Sequence, residues 1–247
     1  MRSVPFIRVR VIRLIGLTLM VWSSAWADAP WREKPSSGWD RADVRRILFD
    51  SPWVKHSVST KRDPEFELPD QGPSGMELRG YHAKESKDDG AVTTEFYVRW
   101  VSSRTVRLAW ARRQAGFGQS SFGQSSFGQS SGSGKETPPK LDEFEVAIAG
   151  RDMSTFDGVK EAAFKKKCFL SPSSSGQRIT PSGVEIARSP EGKTRGLLFH
   201  FPRRTATGEP TIPAHETKVW FIEYAGDIEI RVTFYPQTMA DGEGLDL

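Results

Sequence analysis

Three stretches of this chain alternate strictly between two sides. In 92–101, Val92, Thr94, Phe96, Val98 and Trp100 fall on one side, and Thr93, Glu95, Tyr97 and Arg99 on the other. Phe144, Val146 and Ile148 alternate with Glu143, Glu145 and Ala147. Ile228, Ile230, Val232 and Phe234 alternate with Glu229, Arg231 and Thr233. Successive side chains of a strand point to opposite faces, so a period of two demands strands with one buried side. One wet face is the mark of an antiparallel sheet. Residues 184–187, 197–201 and 218–224 read as further strands, and 53–60 and 76–82 as weaker ones. Ala225-Gly226-Asp227 separates 218–224 from 228–234. That link fits a hairpin and is too short for a parallel crossover.

The helical signals are fewer. Asp40 reads as an N-cap, with Asp43 completing an imperfect capping box and Trp39 and Val44 placed as a hydrophobic staple. Val44, Ile47 and Leu48 give one apolar face, and Pro52 stops the helix near Asp50 or Ser51. Ser103 precedes a second helix with Val106, Ala109 and Trp110 inward and Gly116 at its end. A third helix is expected from Ser154 or Thr155 to Lys167, with Phe156, Val159 and Ala163 inward. Asp157 near its start and Lys165, Lys166 and Lys167 near its end match the helix dipole. The expected fold class is α+β, a mostly antiparallel β-sheet with about three short helices packed on it.

Residues 1–27 have the parts of a secretory signal peptide. Arg2, Arg8, Arg10 and Arg13 form a basic start, 14–22 an apolar run, and Ala25-Trp26-Ala27 a small-residue cleavage pattern before Asp28. The expected cleavage is between Ala27 and Asp28. The run is short for an anchor, which takes about 20 apolar residues, so the membrane is expected to be met only by this segment, during export. The chain carries 35 Lys+Arg against 31 Asp+Glu, and those four leader arginines account for the whole excess. The remainder is neutral, which argues against nucleic acid as a partner. Residues 28–39 read as an extended N-terminal arm, and 40–247 as a single α+β domain. Residues 61–75, with three prolines and two glycines, read as a loop. A Phe-Gly-Gln-Ser-Ser unit occurs three times in tandem over 117–131. It has little apolar content to offset chain entropy, so 116–140 is expected to be a disordered loop interrupting the domain.

Chemistry-bearing motifs are sparse. The lone Cys168 excludes a disulfide framework, and reads as a small half-buried residue at a helix end. His56, His82, His200 and His215 stand apart from one another. His215-Glu216 opens like a zincin motif, but Val219 occupies the second histidine position. Glu143 with Glu145, and Asp227 with Glu229, read as solvated strand faces. No catalytic residue, metal site or cofactor is assigned. Trp31, Trp39 and Trp53 cluster near the mature N-terminus; Trp31 and Trp39 are candidate partner contacts if exposed, and clamps on the first helix if buried. Arg203-Arg204 is a candidate contact for an acidic ligand.

Several motifs, taken in order, resemble a family of secreted soil-bacterial proteins without an established activity. They are Trp39 with Asp43-Val44, Ile47-Leu48 and Ser51-Pro52-Trp53, then Val98-Arg99-Trp100 with Ser102-Ser103, Val106-Arg107 and Ala109. Leu197, Phe199 and Phe201-Pro202-Arg203 match an F-x-F-P-R strand, and Ile230, Val232, Phe234, Met239, Gly244 and Leu245 the C-terminal end. The chain departs at the FGQSS insert and at Glu243-Gly244-Leu245-Asp246-Leu247, where a G-K-L-E-like ending is expected. The resemblance covers most of 39–247. It implies secretion and a shared fold, and supplies no site residue. The expected function is a secreted or periplasmic, non-enzymatic binding domain for a protein or cell-envelope component. The alternative is an extracytoplasmic hydrolase built from scattered Asp, Glu and His. His56 or His200 within reach of a carboxylate on a pocket floor favours the hydrolase; a flat surface with exposed aromatics favours binding.

Overall fold

The computed structural model describes residues 29–61, 92–116, 141–225 and 228–247. The signal segment with its Ala27/Asp28 junction, most of the 61–75 loop, the 76–82 strand with His82, the FGQSS repeats and the 226–227 turn lie outside the described residues.

The alternating segments form an antiparallel sheet of five strands in the order β1-β2-β3-β6-β5. These are β1 (Val54–Lys61), β2 (Val92–Trp100), β3 (Glu143–Gly150), β5 (Gly183–Arg188) and β6 (Thr194–Pro202). A second sheet, in the order β4-β7-β8, comprises β4 (Cys168–Pro172), β7 (Val219–Ala225) and β8 (Ile228–Phe234). β9 (Ala240–Asp241) and β10 (Gly244–Leu245) form a short C-terminal ribbon. The inward residues of the first sheet include Phe96, Val98, Trp100, Val146, Ile148, Leu197, Phe199 and Phe201, all without exposed surface. They meet Phe221 and Phe234 of the second: Trp100 lies 5.2 Å from Phe234, and Phe199 5.6 Å from Phe221, ring centre to ring centre. Each such buried side chain contributes roughly 1.5–3 kcal/mol. Gly150 is required at the edge of this core, because a Cβ there would stand 2.8 Å from the Glu95 carbonyl oxygen.

The molecule is α+β, with four α-helices among the described residues. In α2 (Arg41–Phe49) the capping box is complete: Asp40 accepts from the Asp43 N–H, and Asp43 from the Asp40 N–H. α3 (Arg104–Gly116) packs against α2. Three differences from the sequence expectation have physical causes. The 28–39 arm is not extended. It holds α1 (Pro30–Glu33) and a 3-10 turn at Ser36–Gly38, because burying Trp31 and Trp39 offsets the cost of ordering it. The third helix breaks in two: a 3-10 turn at Ser154–Phe156, then α4 (Glu161–Lys167). Gly158 adopts φ +73° between them, and the Asp157 carboxylate accepts from the Thr194 N–H instead of capping a helix. Cys168 does close a helix, as the C-cap of α4, but it is fully buried rather than half-buried, because it is also the first residue of β4.

Arg99, expected on the wet face of β2, is 6% exposed. Its Nε and Nη2 both donate to the Leu48 carbonyl, at 3.0 and 2.7 Å, closing the C-terminus of α2. The guanidinium lies over the rings of Phe49 and Trp110, and burial lowers its pKa to about 10. The start of α3 is held from far along the chain. Asp246 accepts from the Ser103 hydroxyl and from the N–H groups of Arg104 and Thr105. The Trp53 indole donates to the Asp246 carbonyl at 2.7 Å.

Candidate functional site

Register brings one histidine among three carboxylates. β3 and β6 pair Glu145 with His200, and β6 and β5 pair His200 with Gly183. His200 therefore stands on the outer face of the five-stranded sheet, between Glu143 and Glu145 on one side and Glu185 on the other. Its Nε2 is 3.1 Å from Glu185 Oε1, and its Nδ1 is 3.5 and 3.7 Å from Glu143 and Glu145. Burial raises the pKa of Glu145, with the neighbouring carboxylates adding and His200 and Arg107 opposing. The Ser182 hydroxyl lies 2.6 Å from Glu143 and 3.0 Å from the His200 carbonyl, so its one proton goes to one of these acceptors and not to the imidazole. The two ring nitrogens face opposite carboxylates, and these groups do not converge on one point. No set of three or more His, Cys, Asp and Glu among the described residues is placed to hold a metal ion.

A separate groove of about 400 Å³ opens at the end of β6. One wall is the segment Gln177, Arg178, Ile179 and Thr180, pinned to β4 by two backbone hydrogen bonds between Ile179 and Leu170. The other is Pro202, Arg204, Thr205, Ala206 and Thr211, from the turn after β6. The Arg178 guanidinium lies 4.4 Å above the Phe169 ring, and Arg204 donates to the Gly208 carbonyl at 2.7 Å.

The chain matches no family model, no curated protein and no solved structure. The resemblance drawn above thus stands on its motifs alone.

The four candidate contact residues fare differently. Trp31 and Trp39 are 9% and 3% exposed and cannot serve as surface contacts. Trp31 meets Trp53 edge-on at 5.5 Å, and the Trp39 indole donates to the carbonyls of Pro30 and Lys34. Both clamp the N-terminal segment onto the core. Arg203 is half-buried: it lies over Phe144, donates to the carbonyls of Glu143 and Leu247, and burial lowers its pKa. It ties the C-terminus to the sheet. Arg204 is exposed and lines the groove. The exposed aromatics among the described residues are Phe49, Tyr224 and Tyr235, none of them singled out from sequence. His200 meets half of the hydrolase criterion, having a carboxylate partner, but it does not line the groove. His56 is exposed, packed beside Tyr97.

Sequence reasoning missed Arg178, which lines the groove opposite Arg204. It also missed Glu185 as the third carboxylate at His200. A correct register for β3, β5 and β6 would have found Glu185, since Glu145 and His200 are cross-strand neighbours with Glu185 diagonal to them. Nothing in the pattern around Arg178 announces it.

Proposed function

We propose that this chain is an exported, non-enzymatic binding domain that engages a protein or cell-envelope component outside the cytoplasm. Export rests on the leader-like 1–27 segment and on the motifs of the secreted family it resembles. The observation that carries the binding reading is the makeup of the groove. Its walls supply guanidinium, hydroxyl and amide groups suited to holding a ligand, while His200 and its three carboxylates lie apart from it on the outer sheet face. No helix among the described residues is long and apolar enough to cross a membrane. The test is capture from cell-envelope extract by the immobilised, processed protein. A component retained saturably, and released by excess free protein, supports the reading; retention equal to that of a heat-denatured control overturns it.

The His200 cluster favours a second reading, an extracytoplasmic hydrolase. A histidine 3.1 Å from Glu185, beside a Glu145 whose pKa burial raises, has the groups for general acid–base work. Hydrolysis of envelope esters, glycans or peptides that is lost in both His200→Ala and Glu145→Gln would establish it.

A further inference from the structure

We infer that the groove between Arg178 and Arg204 is an oxyanion site, taking a carboxylate or phosphate group carried on the partner. The inference rests on the binding reading and gives it a ligand chemistry. Both arginines are positioned by neutral contacts, an aromatic face for Arg178 and a backbone carbonyl for Arg204. Neither forms an ion pair among the described residues, so each keeps its charge uncompensated at the groove. Glu209, the acid of the Arg204 turn, is not among the lining residues.

The donor inventory points the same way. The Thr211 hydroxyl already donates to the Pro202 carbonyl at 2.6 Å, and the Thr205 hydroxyl is engaged with Thr207. The remaining supply is dominated by guanidinium N–H groups, five on each arginine, of which Arg204 spends one on Gly208. A surface with two forked cationic donors and no acid in its lining favours a planar or tetrahedral oxyanion, which takes two parallel N–H bonds from one guanidinium.

The walls are also fixed before a ligand arrives. Ile179 and Leu170 exchange two backbone hydrogen bonds. Across the groove, the Thr205 N–H donates to Glu209 and the Thr211 N–H to Arg203. Binding therefore costs little backbone ordering. Both guanidiniums face solvent, so their attraction for an anion is screened by salt.

The test is NMR titration of the purified protein with pyrophosphate, with glutarate and with glycerol as a neutral control, at low and at physiological salt. Saturable shifts confined to Gln177–Thr180 and Arg204–Thr211, weakened by salt and absent with glycerol, are expected. The pyrophosphate and glutarate arms separate a phosphate-bearing from a carboxylate-bearing ligand. Arg178→Gln and Arg204→Gln should each weaken binding roughly tenfold or more, the loss of a charge-assisted contact. Both positions are exposed, so the melting temperature serves as the control for folding. Unsaturable shifts, or unchanged affinity in both folded variants, overturn the proposal. The capture experiment keeps the two readings apart: an envelope component retained equally by the double Gln variant preserves the binding domain and refutes this site. Anion binding at the groove with no component captured does the reverse.

Discussion

Glu216 and Glu223 are seven positions apart, of one residue type, and both without exposed surface, yet their surroundings drive them to opposite charge states. Glu216, before β7, accepts from the hydroxyls of Ser173 and Ser174 and from the N–H groups of Ser174, Thr217 and Lys218. Burial alone would raise its pKa; the donors outweigh burial and hold it at about 2. Glu223, within β7, points into the core, where its carboxyl has no N–H or hydroxyl donor and faces only the weakly donating Cys168 thiol across the β4–β7 pair. Burial pushes it up to about 8, only partly offset by the facing Cys168 thiol and by Lys167. A buried carboxylate is thus an asset or a burden according to its donors, not its depth.

The comparison breaks most readily at Glu216. Glu216→Ala strands two hydroxyls and three N–H groups, and should cost about 3 kcal/mol in urea denaturation at pH 7; a loss typical of surface changes, below about 0.5 kcal/mol, would show that water replaces the carboxylate. Glu223→Met should do the opposite, adding roughly 1–3 kcal/mol at pH 8 by removing a buried acid that only a weak thiol donor faces. Destabilisation there would mean that the thiol contact outweighs the cost of burying the acid.

Titration sharpens the contrast. The folded state holds a proton on Glu223 that the unfolded chain releases near the ordinary 4.5, so this group lowers stability as pH rises from about 4.5 to about 8, and by a constant amount above. Glu223→Met should flatten that slope in urea midpoints measured across the window. Glu216 has the opposite sign. Its contribution is complete above 4.5 and lost as pH falls toward about 2, so Glu216→Gln should remove that acid-side dependence. The smallest effect concerns the thiol. Burial, then the Glu223 charge, push the Cys168 pKa up, so iodoacetamide at pH 8 should label it only at the rate of unfolding. Fast labelling of the native protein would open the core that this comparison assumes.

The sheets were legible because their signal is local. Phe96, Val98 and Trp100 announce a buried face by period alone, and all three are fully buried. α2 was legible for the same reason, since its cap and its apolar stripe lie within ten residues. What failed depends on distance. Trp31 and Trp39 could be clamps or contacts until their neighbours were known, and Arg99 looked solvated until the end of α2 arrived over it. β4 was missed because Cys168-Phe169-Leu170 carries no alternation: Phe169 lies under Arg178 on the outer side, so both faces are covered. The groove was half legible. Arg204 stood out as part of a basic pair, whereas Arg178 reaches it only because Ile179 pairs with Leu170.

The hold of Asp246 on Ser103, Arg104 and Thr105, and of Trp53 on the Asp246 carbonyl, spans 141 to 193 positions along the chain. Such ties are among the last that a polypeptide can make, because a long stretch must be gathered first. Until Asp246 docks, the start of α3 has no carboxylate on its N–H groups and the Trp53 indole no acceptor, so one residue fastens two elements far upstream, like a single clasp on two straps.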